Sequence, residues 1–497
     1  MAIQEIEITY PKGRLPSISL KGVRPPLPYT FRPSRENVNL LASPKEIVSF
    51  GGSEHKADWE KERLVVRMQT ETRRPYGQEL FLHRQDSSLD ALSYDVLHIR
   101  GEVSSPLTFA VADAAARQHE NNVPLLSVIG SFDVRVPLYS LARRVDLRYL
   151  TSLVLLPQEK TNTVTLKTLA LEQSGHRREY KPRLGFWWWE YRDLPDRGDA
   201  VLDECQRFAC TRLFVQMPAT EDPPTLWTAY VQFLRSARGR GIEAFALDGY
   251  PEAIHDPTPL VKKIEHLLAL VGDESLAGVQ LDIEPYLLED FFVGESGFAR
   301  YLAAISRFKE ALGPHIRLSV AIPFWFTSQV VNNRPVAFSV MDRVDEVTVM
   351  SYRTNIEEVR TFSEDTLRYG DIANVPVWLA LETRALPLEH HIILKLEPHR
   401  ELADAYLDRA TRRVVFASPP ARDGVEGLRI SSRFIVRPEQ LTFAGRSRQA
   451  VQTAISSVMS ITPNRSLVGM VIHDLDGFCA LQEKEAESTV RQHLIEE

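Results

Sequence analysis

The chain has 497 residues, 44% of them hydrophobic and 25% charged, a balance typical of globular proteins with room for two or three domains. A formal net charge of −7 argues against nucleic acid as the main partner. No apolar run approaches the roughly 18–20 residues that a membrane span needs, and Met1 to Pro16 lacks a basic segment followed by an apolar core, so neither a span nor a signal peptide is predicted.

Taken in chain order, residues 1–40 are rich in Pro and Arg and read as an extended N-terminal segment. Residues 41–175 read as all-β. Short alternating or apolar runs such as RLVVRMQ, YDVLHIRGEV and TVTLKTLAL recur between polar turns, which predicts a β-sandwich or jelly roll. Cys205 and Cys210 lie five apart in a predicted helix, so their side chains should diverge. Together with Cys479 they read as small buried apolar residues, and no spacing suggests a zinc site.

Near Arg183 the pattern changes to strands alternating with helices. Eight strand candidates follow: 184–191, 212–217, 242–250, 278–286, 316–326, 346–352, 375–383 and 468–477. Helical spacing appears between them, as in Phe298, Leu302, Ile305, Phe308 and Leu312. Eight strand–helix units over residues 181–497 predict a (β/α)8 TIM barrel, an α/β fold. A doubly wound open sheet is the competitor, but no glycine-rich phosphate loop follows the first strand. After the seventh strand, residues 384–445 read as a β-rich insertion on the face where barrel active sites lie.

In a barrel the carboxyl ends of the strands converge on one mouth. The fourth strand carries GVQLDIEPY, in which Val279, Leu281 and Ile283 alternate with Gln280, Asp282 and Glu284. Two carboxylates thus share one face at a strand end. The other strand ends supply Trp187 and Trp189, Gln216, Asp248, Tyr286, Trp325, Tyr352 and Arg353, Glu382, and His473 with Asp474. Carboxylates among aromatics suit sugars, whose C–H faces pack on indole rings. Glycoside cleavage needs a protonated acid at the leaving oxygen, and neighbouring carboxylates repel, which keeps one of them protonated. Each acid also has a structural reading: Glu284 bridged to Arg353, Asp282 merely lining the barrel, Glu382 bridged to Arg384, and Asp248 or Asp474 capping a helix.

LDIE followed by MSY on the sixth strand resembles the chitinase-like family 18 glycoside hydrolases. Asp282 and Glu284 match the last two acids of their Asp-X-Asp-X-Glu motif, and Tyr352 matches their strand-six tyrosine. The resemblance implies Glu284 as the acid and Asp282 as the residue that positions an N-acetyl group for substrate-assisted attack. Gln280 stands in place of the motif's first acid, Arg353 in place of the aspartate after the tyrosine, and His473 roughly in place of the family's strand-eight tryptophan. Glu284-Pro285 and Glu382-Thr383 also resemble the clan A glycosidases, which implies Glu382 as nucleophile, with its carboxyl about 5–5.5 Å from that of Glu284. The first β-rich region resembles the galactose-binding-like jelly roll of carbohydrate-binding modules.

The expectation is therefore a glycoside hydrolase acting on a poly- or oligosaccharide. Glu284, Asp282, Glu382 and Tyr352 are the catalytic candidates. Trp187, Trp189, Gln216, Asp248, Tyr286, Trp325, Arg353, His473 and Asp474 are the substrate-binding candidates. No metal or cofactor is expected, and a secreted or periplasmic setting is favoured by domain type. An inactive barrel that binds polysaccharide is the non-catalytic alternative; a lyase or deacetylase is a weaker third.

Overall fold

Strand-period and helix-period segments change over at Arg183 in the computed structural model as they do in the sequence. The structure describes residues 5–11, 17–21, 29–34, 37–70, 76–114, 122–173, 183–272, 276–288, 291, 296–332, 334–408, 413–415 and 425–481. The second half is a closed barrel of eight parallel strands. They are β1 (Arg183–Trp188), β2 (Cys210–Gln216), β3 (Glu243–Asp248), β4 (Gly278–Leu281), β5 (Arg317–Pro323), β6 (Glu346–Met350), β7 (Val377–Glu382) and β8 (Leu467–His473). β8 pairs with both β7 and β1, and this closes the ring.

The barrel strands are buried on both faces, which is why they read as near-continuous apolar runs. Helices cover the outside. The helix Pro224–Gly239 starts on a proline, whose missing N–H needs no partner there, and buries Leu226, Tyr230, Phe233 and Leu234 along one stripe. The helix Ile356–Ala373 is capped by Asn355, whose side chain accepts from the backbone N–H of Glu357 at 2.9 Å and of Glu358 at 3.3 Å. Asn374 ends it in the left-handed conformation, φ 54°.

The first half is rich in strands, as expected, and its hydrogen bonds join them into one branched eleven-stranded sheet. The strand Val96–Asp113 organises it. Its first part pairs with Thr161–Glu172 and its last part with Leu150–Pro157, with an irregularity between Val103 and Leu107 where the partner changes. This sheet is fastened to the barrel helix Ile356–Ala373 by buried charge. Arg368 meets Asp90 at 2.5 Å, and Arg148 meets both Asp146 at 2.9 Å and Asp365 at 2.8 Å.

Two expectations are corrected. Residues 1–40 are more than an extended lead-in: Glu5–Pro11 and Ser17–Lys21 are strands. They join Glu389–Leu396, Val425–Val436, Ala405–Asp408 and Arg413–Val415 of the insertion in a six-stranded sheet. The strand Ser17–Lys21 reaches the turn Pro285–Leu287 just after Glu284, so this sheet flanks the mouth. Cys205 and Cys210 are a disulfide, with Cα atoms 4.9 Å apart. The helix Leu194–Arg207 ends before Cys210, and Ala209 turns the chain at φ 54°, so the two side chains face each other instead of diverging.

Candidate active site

The barrel interior is filled in layers. At its amino end Arg212, fully buried, bonds Glu346 at 2.5 Å, reaches Glu243, and lies 4.3 Å and 4.6 Å from the ring centres of Phe245 and Trp378. Its positive charge is thus met by two carboxylates and two π faces. Above it lies Gln280. Its carbonyl accepts from the Trp187 indole at 2.5 Å, and its amide donates to Ser319 and Thr348, each at 3.0 Å. A neutral carboxamide can serve one donor and two acceptors at once, which a carboxylate cannot. That accounts for a carboxamide instead of an acid at position 280.

Two residues further along, the strand ends and Asp282 and Glu284 face the same way, because side chains alternate with period two. Val279, Leu281 and Ile283 are buried on the opposite face. The backbone N–H of Asp282 bonds the carbonyl of Asp248 at 2.9 Å. Gly249 lies so close that a Cβ there would sit 2.2 Å from the Asp282 carbonyl oxygen, so only glycine fits beside this strand end. Asp282 is half-buried, and its Oδ1 is buried with no hydrogen-bond partner among the described residues. Burial, with the charge of Glu284 added, pushes its pKa up to about 7, against a smaller opposing pull from His473. Glu284 is half-buried, and its Oε1 accepts from the hydroxyl of Tyr286. Tyr286 in turn packs edge-on against Trp325, ring centres 5.1 Å apart.

Glu382 closes the other side of this group. It is 2% exposed. Oε1 accepts from the backbone N–H of Thr383 at 2.8 Å and of Arg384 at 2.7 Å, and Oε2 accepts from His473 Nδ1 at 2.8 Å. The expected Glu382–Arg384 pairing thus uses the arginine's backbone, while its guanidinium goes to Asp474. On the far side of the imidazole, the Trp189 indole donates to His473 Nε2 at 3.0 Å. The Tyr352 ring lies 6.0 Å from that of His473. Burial first, then the charges of Glu382, Asp282 and Glu284, holds its hydroxyl well above the usual tyrosine range.

Several expected binding residues take other places. Trp187 is 1% exposed and packs inside the barrel with Phe214, a support under the mouth instead of a surface for sugar. Asp248 turns to the helices: Lys263 donates to Oδ2, and Oδ1 accepts from Gly249 N–H at 2.7 Å. Arg353 is not bridged to Glu284. It lies between the rings of Phe324 and Phe362, at 5.2 Å and 5.1 Å, and pairs with Glu358 at 3.3 Å. Asp474 is fully buried, bonds Arg384 Nε at 2.7 Å and accepts from Gly477 N–H at 2.9 Å, which fits its helix-cap reading. Gln216 and Trp325 remain half-buried at the ends of β2 and β5. Sequence reasoning passed over Tyr301. Its fully buried hydroxyl has no partner among the described residues, and Asp282 and Glu284 raise its pKa further after burial does. A hydroxyl within the apolar stripe Phe298, Leu302, Ile305 was its signal.

Among the described residues no cluster of three or more His, Cys, Asp or Glu side chains could hold a metal ion, and no helix is long and apolar enough to cross a membrane. The molecule is thus a (β/α)8-barrel protein with an acid pair at the carboxyl end of its fourth strand. No protein-family model and no curated protein matches the chain. Among solved structures it is similar to a chitinase from Rhizomucor miehei, at 15% identity and TM-score 0.34 over 61% of this chain and 99% of that one. It is also similar to a class V chitinase from Nicotiana tobaccum (12%, 0.34, 60% and 95%) and to the spore cortex-lytic enzyme SleL of Bacillus megaterium QM B1551 (11%, 0.33, 62% and 73%). The barrel is established by its own strand pairing.

Proposed function

We propose that the barrel is a glycoside hydrolase acting on a poly- or oligosaccharide, with Glu284 as the general acid. The observation that carries this reading is the Asp282–Glu284 pair, two half-buried acids of which Asp282 holds a buried Oδ1 with no hydrogen-bond partner among the described residues. At neutral pH such a pair holds a proton where a glycosidic oxygen can receive it. Tyr286 orients Glu284 through its hydroxyl. Asp282 tunes that proton. In its ionised form it can also accept an N–H from the substrate, so the assisted route is the favoured mechanism. Tyr352 feels the charges of both Glu382 and the Asp282–Glu284 pair. Glu382, 2% exposed and bonded on both oxygens, is poorly placed to attack an anomeric carbon. Trp189, Gln216, Tyr286 and Trp325 are the residues we assign to sugar contact. The β-rich unit at 41–175 would serve as a carbohydrate-binding module beside the barrel, and the Cys205–Cys210 disulfide fits an oxidising compartment.

The test is a panel of defined polysaccharides assayed for new reducing ends with the wild type and Glu284→Gln. A hydrolase loses about 10²–10⁴-fold in turnover while keeping ligand affinity. A panel that binds with no reducing ends released by the wild type would leave the polysaccharide-binding reading in its place.

A further inference from the structure

Glu382 and His473 take no part in the proton donation proposed above, yet they are tightly organised. Two backbone N–H groups fix Glu382 Oε1 as an acceptor. Its Oε2 lies 2.8 Å from His473 Nδ1. An indole N–H can only donate, so the 3.0 Å bond from Trp189 requires a bare Nε2. A neutral ring with a bare Nε2 carries its proton on Nδ1, which donates to Glu382 Oε2, so the bonds run in one direction: Trp189 to His473 to Glu382. With its nitrogen turned inward, half-buried Trp189 offers carbon to the mouth.

We propose that Glu382 and His473 are positioning residues that lock the Trp189 indole as a platform for one sugar ring of the substrate. This rests on the hydrolase reading and adds to it an acid-sensitive grip on the glycan. The groups around the imidazole are Glu382 of β7, Asp474 next to it, Asp282 just after β4, Tyr352 just after β6, Trp187 of β1 and Trp189 just after it. Burial lowers the pKa of His473, but the bond and charge of Glu382, then Asp474 and Asp282, raise it overall. Opposing them is the Trp189 N–H, which loses its acceptor once Nε2 is protonated. Acidification through the His473 pKa therefore releases the platform, and alkaline conditions restore it.

The experiment has two arms. In protein labelled with nitrogen-15 at histidine, His473 is assigned by comparison with His473→Asn and followed from pH 5 to 9. At pH 8 the expected signature is Nδ1 protonated and Nε2 bare, and in Glu382→Gln that signature is lost; a wild-type ring protonated on Nε2 at pH 8 overturns the relay. In the second arm, Glu382→Gln is assayed on whichever polysaccharide of the panel is cleaved. The expected result is a KM raised about tenfold, the worth of one good hydrogen bond, with kcat within about threefold. A kcat collapse of about 10⁴-fold at unchanged KM would instead make Glu382 the nucleophile. Should Glu382→Gln not fold, Trp189→Phe keeps a ring and removes the N–H. It is expected to raise KM and to flatten its rise at acid pH; an unaltered acid profile overturns the proposal. If no polysaccharide is cleaved, the hydrolase reading fails, while the tautomer arm still decides the relay.

Discussion

Replacing Asp282 with Asn tests the electrostatics of the site without any knowledge of the substrate. The Asp282 carboxyl is pushed up to about 7 by burial and by Glu284, whereas an unfolded aspartate titrates near 3.9. The folded state therefore binds more protons between those values, and stability falls as pH rises through that window. Linkage gives a penalty that grows by about 3 kcal/mol from pH 5 to pH 9. An asparagine has the same shape and no charge to desolvate. The stability of Asp282→Asn minus that of the wild type should thus rise by up to about 3 kcal/mol from pH 5 to pH 9. Urea unfolding of both proteins at several pH values, followed by fluorescence and circular dichroism, reads this directly. A difference that stays flat from pH 5 to pH 9 would mean that Asp282 ionises as freely as a surface aspartate, and the proton store assigned to the acid pair would be gone.

Gln280→Leu leaves the Trp187 N–H without its buried acceptor and removes the partner of Ser319 and Thr348, so urea unfolding should show a loss of about 3 kcal/mol. Arg368→Ala strips Asp90 of its buried partner, while Arg32 still reaches that carboxylate at 2.9 Å. The loss should be about 3 kcal/mol, the low end for a broken buried pair, read as a fall in Tm. Cys205→Ser opens a loop with a sequence separation of 5; the chain-entropy view gives about 2 kcal/mol, and thiol titration of the unfolded wild type should count one free cysteine, Cys479.

The barrel was legible because its signal is local. The apolar run of Val377–Glu382 and the apolar stripes of the helices report burial directly. The acid pair was legible for the same reason. What escaped the sequence depends on partners far along the chain or on a turn of the backbone. Glu5–Pro11 carries a strand pattern but its partner is Glu389–Leu396, which no window reaches. The disulfide depended on where one helix stops and on the left-handed Ala209. Asp248 and Asp474 sit at strand ends, as mouth residues should, yet Lys263 and Arg384 draw them away. Residue type gave the charge, and only the neighbours showed which charges were already satisfied.

The pairing of Glu5 with Lys395 also bears on how the chain matures. During synthesis the first two strands leave the ribosome long before their partner exists, so a hairpin edge waits unpaired while most of the barrel is made. Contacts of such high order slow folding, and a waiting edge can recruit the wrong strand. The flank of the mouth beside Pro285–Leu287 thus joins segments from both sides of the barrel sequence, and it can close only after Glu389–Leu396 has been made.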